Sequence, residues 1–338
     1  MFRGQPFRTG LKRRGKKAEV TIKTDYIDKA LAAFSGYIAA DELYDGPFCV
    51  LFIVDNHQFN RLYYEVLDHN PTNEDMIRFF KRFKHMLDAR GLTLKGITTD
   101  GSPLYPEPIA EVFGEIEHQS CQFHIIKEIT KSILKAVTGV RRELKQKKRK
   151  CQRGRPCGKQ AKRAARKNKR VQKKIADLFE YRYLFVKHTL THQEKNILQR
   201  VTRGFNQLRT LRSIMDEVYR LFDRRCRMET ALKKLAKLRR RIRRFTKLKD
   251  TLKKLSSPNL EKALTFLDDS LLPATSNAVE RANRRHRKMQ KSIYCVRTRD
   301  HISQRIAIDM QRDRYMEQQK KTINTLHWSR NGEIRKTA

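Results

Sequence analysis

Three acidic residues stand where a carboxylate is conspicuous. Asp41 lies inside an otherwise apolar strand-like run, Ala39-Ala40-Asp41-Glu42-Leu43. Asp100 ends a second such run, Ile97-Thr98-Thr99-Asp100, and Glu280 opens the helical segment TSNAVERANRRHRK. A carboxylate within a buried strand loses its hydration unless a cation or a donor meets it. Two or three that converge form an all-oxygen site for a hard divalent ion, above all Mg²⁺ or Mn²⁺. A pair of such ions about 3.5–4 Å apart activates a water or a 3′-hydroxyl and stabilises the leaving oxygen in phosphodiester displacement. Carboxylates so close repel one another, so one of them is expected to bind its proton more tightly than usual.

Plainer roles compete for the same residues. Asp41 would also serve as a strand-end acid paired with a nearby Lys or Arg. Asp55 is its chief substitute, although Asp55-Asn56-His57 reads as a turn. Asp100 in Asp-Gly-Ser-Pro has turn chemistry of its own. Asn277-x-x-Glu280 has the spacing of a capping box, in which the Asn caps and the Glu reaches back. On a helix, Asn283, Arg284 and Arg287 project on the side of Glu280, and with Asn277 and Lys288 they make a face suited to gripping phosphates. Cys121-x-x-His124 supplies half of a zinc site, and Cys151 and Cys157 would complete it only through an unusual spacing across a long loop. Zinc is therefore not expected. Cys121 reads as a small buried side chain, and His124 as a support for the carboxylates or a DNA contact.

The elements that must position these residues follow from apolar periodicity. Gly36–Leu43, Phe48–Val54 and Arg61–Leu67 read as three strands, with Asp45-Gly46 and Asp55-Asn56 as turns, hence an antiparallel meander. Thr72-Asn73-Glu74 opens a helix in which Met76, Phe79, Phe80, Phe83, Met86 and Leu87 share a face, and Gly91 is placed to end it. A fourth strand covers Leu94–Thr99. A short helix at Pro108–Phe113, a fifth strand near His118–Cys121 and a helix over Phe123–Val137 follow. The order β-β-β-α-β-α-β-α is that of a ribonuclease H-like fold. If the first and fourth strands are neighbours, as in that fold, Asp41 and Asp100 meet.

Composition changes at Arg141. Eighteen of the 34 residues from Arg141 to Lys174 are Lys or Arg, with Glu143 the one acid, and the segment reads as a solvated, partly disordered loop. Ile175–Leu272 reads as all-helical. Leu232, Leu235, Leu238, Ile242, Phe245, Leu248, Leu252 and Leu255 form one winding stripe that fits packing on a neighbouring helix. A last helix-rich segment runs from Asn277 to Gln319 with a break near Thr298. The expected organisation is a basic arm at 1–35, catalytic parts at 36–138 and 273–320 around a basic loop and helical insertion at 139–272, and a tail at 321–338.

AADELYDGPFCVLFIVD, ITTDGSPLYPEPI, CQFHIIKEI and SNAVERANRRHRKMQKSIYCVRT, in that order, resemble prokaryotic insertion-sequence transposases of the DDE class. The resemblance covers Gly36 to Tyr315. It implies an α/β catalytic domain, a ribonuclease H-like mixed sheet with flanking helices, interrupted by a basic all-helical insertion. It implies Asp41, Asp100 and Glu280 as catalytic and metal-binding residues, two Mg²⁺ or Mn²⁺ ions, and Cys121 and His124 in support. DNA cleavage at transposon ends, strand transfer to target DNA and a homo-oligomer assembled on DNA are further implications. About 40 residues precede Asp41 and hold no C-x-x-C pair, whereas related transposases usually carry an end-recognition region there; the chain reads as a catalytic core.

Lys and Arg number 77 against 36 Asp and Glu, a formal charge of +41. Such an excess repels itself unless a polyanion neutralises it, which makes nucleic acid the natural partner. No apolar run reaches membrane-spanning length, no signal peptide is visible and six scattered cysteines suggest no disulfide framework, so a cytoplasmic, nucleoid-associated protein is expected. No G-x-x-x-x-G-K-[ST] loop is present, so ATP-driven chemistry is not indicated. The competing functions are a catalytically inactive transposase-derived DNA-binding protein, a nuclease on the same fold, and a structural nucleic-acid or ribosome-associated protein. Converging carboxylates would separate an enzyme from a mere binder. Whichever holds, affinity for duplex DNA is expected to fall with salt, with a log–log slope of about −0.9 per phosphate contacted. A salt titration of binding checks this, and a flat profile contradicts the expectation that the basic segment at 141–174 and the 231–256 helix hold the DNA backbone.

Overall fold

The computed structural model describes residues 14–15, 17–18, 26–146, 157–243, 253–291 and 298–315. Five strands pair into one sheet: β1 (Tyr37–Asp45), β2 (Phe48–Asp55), β3 (Arg61–Leu67), β4 (Gly96–Thr99) and β5 (Glu117–Ser120), in spatial order β3-β2-β1-β4-β5. The first three form the expected antiparallel meander, with Asp41 opposite Phe52 and Phe52 opposite Tyr64. β4 joins β1 in parallel, Ile38 opposite Ile97 and Ala39 opposite Thr98. Unbroken apolar runs such as Phe48–Val54 suit this position, because the central strands are covered on both faces.

Neighbouring residues of a strand point to opposite faces, and β3 shows what lies on each. Tyr63 packs against Phe79 and Phe83 of α2 (Asn73–Asp88), while the Tyr64 hydroxyl donates to Ser303 O of α11 (Arg299–Tyr315) at 3.0 Å. Beside α2 lies α3 (Pro106–Phe113), joined to it by the Phe80–Phe113 ring contact. Beside α11 on the opposite face lies α10 (Asn277–Gln290), packed on β1 and β2. The sheet is thus a filled mixed α/β layer, as a ribonuclease H-like fold requires.

By contact clustering the chain forms two units, one from residues 1–119 and 271–338, the other from Ser120–Ser270. The second is helical. It holds α4 (Gln122–Gln146), α5 (Gly158–Glu180), α6 (His192–Thr202), α7 (Asn206–Leu221), α8 (Met228–Arg243) and the short α9 (Asn259–Lys262). Its interior includes Ile129, Ile133 and Val137 of α4, Leu211, Ile214 and Met215 of α7, and Leu235 and Leu238 of α8. Among the described residues, no helix is long and apolar enough to cross a membrane.

Three expectations change. Residues 27–32, placed in the basic arm, form helix α1 (Ile27–Ala32), whose Ile27, Ala30 and Leu31 are buried in the sheet unit; a helix of fewer than two turns is too short to show periodicity. The loop expected over 141–174 is helical where it is described apart from the extended cap residue Cys157, up to Gln146 in α4 and from Gly158 in α5. Ala, Lys, Arg and Gln are good helix formers, and the charges that suggested disorder lie on solvated faces. Residues 147–156 of that segment lie outside the described residues. The leucine stripe is α-helical over Met228–Arg243, and Leu255, expected on the same helix, sits in a 3₁₀ turn, Lys253–Ser256. Phe245, Leu248 and Leu252 lie outside the described residues.

Helix α2 starts on a reciprocal cap. The Thr72 hydroxyl accepts from Asp75 N at 3.2 Å, and Asp75 Oδ2 accepts from Thr72 N at 3.0 Å and meets His69 Nε2 at 2.9 Å. Burial alone would raise the Asp75 pKa, but the Thr72 N–H, His69 and the Thr72 hydroxyl outweigh it and hold it at about 2. The folded value lies below the unfolded one, so the stabilisation is complete above about pH 4 and disappears as pH falls through about 2. Asp75→Asn is expected to cost about 1 kcal/mol at neutral pH, with the deficit shrinking between about pH 4 and 2. Urea denaturation of both proteins across that range checks it.

Candidate functional site

The parallel pairing of β1 with β4 decides which acids meet. Continuing the register Tyr37–Gly96, Ile38–Ile97, Ala39–Thr98 by two residues sets Asp100 level with Asp41. One carboxylate oxygen from each of Asp41, Glu42 and Asp100 lies within 4.8 Å of the other two. Among the described residues no other group of three His, Cys, Asp or Glu comes together in this way.

Several contacts place β4 closely enough for this. Gly96 is one: a Cβ there would stand 3.1 Å from Tyr37 Cδ1 of β1, 3.2 Å from Glu117 O of β5 and 2.9 Å from Leu272 Cδ1, so a larger residue requires these neighbours to shift. The Thr98 hydroxyl receives a bond from Asn56 Nδ2 at 3.3 Å and donates to Pro273 O at 3.1 Å. Through Pro273 the chain is held to the sheet just before α10 begins. Past β4, Asp100 Oδ1 accepts from Ser102 N at 2.7 Å. Asp100 is therefore a turn former as well, and the two roles coexist because a carboxylate has two oxygens.

Asp41 and Glu42 are held from opposite faces. Asp41 is 9% exposed and accepts from Asn283 Nδ2 of α10 at 2.5 Å. Glu42 receives the hydroxyl of Tyr105, a fully buried residue at the start of α3. Burial, and then the negative charge of Asp100, push the Glu42 pKa up, against the opposing pull of its hydrogen bonds from Tyr105 and Ser102. Burial and the same cluster of acids push the Tyr105 hydroxyl well above its usual value, so it stays a donor. A proton bound tightly at one member is what crowded carboxylates predict, though it falls to Glu42, a residue to which the sequence analysis gave no role. Its adjacency to Asp41 was the available signal.

Glu280 is half-buried in the first turn of α10 and is not a member of the group within 4.8 Å. Two of the three expected acids are brought together, and the third is not. The capping box expected at Asn277-x-x-Glu280 is not formed with Asn277 as the cap. Asn277 is the first helical residue, Ser276 is the N-cap, and the backbone N of Glu280 donates to Ser276 O as in an ordinary helical turn. Glu280 lies one turn before Asn283 on the same side of the helix.

The phosphate-gripping face needs one correction. Arg284, Arg287, Lys288 and Asn277 are exposed, but Asn283 is 1% exposed and turned onto β1. Helix α10 buries Ala278, Val279, Ala282, Asn283 and His286, so the residues between them face out. His286 Nε2 meets Asp45 Oδ2 at 3.0 Å, a second tie between α10 and β1. Asp55 is settled as structural: it is fully buried and its carboxylate accepts from Ser35 N, Ser35 Oγ, His57 N and Gln58 N at 2.7–3.0 Å. In the helical unit, Cys121 is 2% exposed and His124 is half-buried at the start of α4. Cys151 lies outside the described residues.

The donor chemistry of the cluster suits one class of guest. Three carboxylates offer hard oxygen ligands and no nitrogen or sulfur, the set for Mg²⁺ or Mn²⁺ and not for structural zinc. Half-buried acids so close also gain from a cation that cancels their repulsion.

Residues 53–306, about three quarters of the chain, match the family DDE_Tnp_ISL3, whose description is transposase. The matched span contains Asp100, Asn277, Glu280 and Asn283 and begins after Asp41. No curated protein matches the chain.

Asn283 and its neighbour Arg284 provide a contrast on one helix. Asn283→Ala strips a donor from a buried carboxylate and is expected to cost about 1–3 kcal/mol. Arg284→Ala, at an exposed position, should change stability by less than about 0.5 kcal/mol. Denaturation of the two variants side by side checks both.

Proposed function

We propose, for a chain that belongs to the DDE_Tnp_ISL3 transposase family, that it cleaves DNA at the ends of an insertion sequence and joins the freed 3′ ends to target DNA. In this reading Asp41, Asp100 and Glu280 hold divalent cations. The observation that carries it is the meeting of Asp41 and Asp100 across the parallel β1–β4 pair, within 4.8 Å and together with Glu42. A merely DNA-binding descendant would have no reason to keep that repulsion.

Magnesium or manganese, when bound, supplies the positive charge that activates a water or 3′-hydroxyl and stabilises the leaving oxygen. The protein's own groups do the rest. Asn283 fixes the rotation of the Asp41 carboxylate by occupying Oδ2. Tyr105 does the same for Glu42, which stands ready as a further oxygen donor or a proton carrier. Glu280 completes the set once DNA is bound; support comes from its place one turn before Asn283 on the same side of α10. Exposed Arg284, Arg287 and Lys288 continue the same helix and hold phosphates beside the scissile bond, positioning DNA without reading its sequence. Assembly of two or more copies on the DNA, in the cytoplasm at the nucleoid, belongs to the same reading.

Asp100→Ala and Glu280→Gln are each expected to lower strand cleavage and joining by roughly 10³-fold or more in Mg²⁺ or Mn²⁺, with DNA binding retained. Cleavage of DNA carrying the element's ends, alongside a binding assay, tests this. Wild-type activity in Asp100→Ala would sink the mechanism. Wild-type activity in Glu280→Gln, with loss in Glu42→Gln, would move the third role to Glu42.

A further inference from the structure

Phe59 is the one non-glycine residue with positive φ among the described residues, at 61°. That conformation is rare for a bulky side chain, and it is strained. Strain in a protein interior is offset by packing, but Phe59 is 47% exposed. The ring is therefore held partly out into solvent at a cost, with incomplete burial in return.

The turn that holds it is rigid. Asp55 N donates to Asn60 O at 2.8 Å and Phe59 N to Asp55 O at 2.9 Å, while the Asp55 carboxylate gathers the N–H groups of His57 and Gln58. Over the ring lies the Arg281 guanidinium of α10, with its carbon 4.5 Å from the ring centroid. Arg281 follows Glu280 in sequence. Asp55, at the base of the turn, pairs with Ile38, three residues and roughly 10 Å of strand from Asp41.

We infer that Phe59, backed by Arg281, is a stacking platform for an unpaired base of the DNA strand near the carboxylates. An exposed aromatic face backed by a cation attracts any base, because every base has a π face and cation–π attraction adds to stacking. Exposed Arg284, Arg287 and Lys288 on the same helix complement the backbone of that strand. The inference rests on the DNA-cleaving reading only for what the platform serves; stacking itself needs no cleavage.

The test uses the full chain in EDTA with a single-stranded oligonucleotide carrying one 2-aminopurine, whose fluorescence is quenched when it stacks, and the same base in a duplex. Wild type is expected to quench the single-stranded probe more than the duplex. Phe59→Leu, which keeps apolar bulk but has no π face, should lose the quenching and bind roughly tenfold more weakly. Phe59→Tyr should keep both. Phe59→Gly should lose the quenching and yet be no less stable than wild type, since glycine adopts positive φ without strain. Wild-type quenching in Phe59→Leu, or equal quenching of duplex and single strand, overturns the platform. So does a marked loss of stability in Phe59→Gly, which would make the ring a packing element. A protein that quenches through Phe59 but never cleaves DNA refutes the proposed reaction and leaves the platform; one that cleaves without such quenching does the reverse.

Discussion

Carboxylates gathered within 4.8 Å push one another apart, and the push grows as water is removed, so something stiffer must hold them. Here it is backbone. The parallel β1–β4 pair fixes Asp41 and Asp100 at one level, and the rest of the sheet unit defends that pair. Gly96 lets β4 lie close, Thr98 ties it to the segment leading into α10, and Asn283 and Tyr105 reach in from the two faces to hold Asp41 and Glu42. Each contact opposes a force that the acids generate themselves. A cation would reverse the sign of that force, turning a strained arrangement into a stabilised one.

The strands were legible because branched and aromatic runs separated by Asp-Gly and Asp-Asn leave few alternatives, and their order then implied the β1–β4 neighbourhood. Asp55 read correctly as a turn. Glu42 was not assigned because alternation along a strand sends neighbours to opposite faces, which suggests that only one of two adjacent acids reaches a site. Asp100, lying just past the last strand residue, is freed from that alternation and approaches both. Asn283 was misread as a surface group because α10 buries Ala, Val, Asn and His amid Arg and Lys, and no apolar stripe marks the inner face. Helix α5 hid behind its charge. The positive φ at Phe59 leaves no trace in sequence, since the residue types that favour it are Gly, Asn and Asp.

Charge divides between the two units as sharply as chemistry does. Residues 120–270 carry 45 Lys and Arg against 13 Asp and Glu, a net +32 of the whole chain's +41. The sheet unit, with the remaining +9, holds the acids. A carboxylate cluster inside a strongly positive unit would be neutralised by its own side chains and would have less need of a cation. Keeping most of the positive charge in the helical unit lets one part of the chain attract a polyanion while the acids keep their negative character.

The ties between α10 and β1 fall at two acids four residues apart on the strand, Asn283 bonding Asp41 while His286 and Gln290 both meet Asp45. Asp41 and Glu42 are both acids, so a strand displaced by one position would still present a carboxylate to α10, and charge alone would not reject the error. Such a slip turns every side chain of the strand to the wrong face. It would set Glu42 against Asn283, but it would also bring Gly46, which has no side chain, opposite His286. The contacts at Asp45 thus act as a proofreading pair, admitting the strand only in the alignment that sets Asp41, and not its neighbour, against the helix.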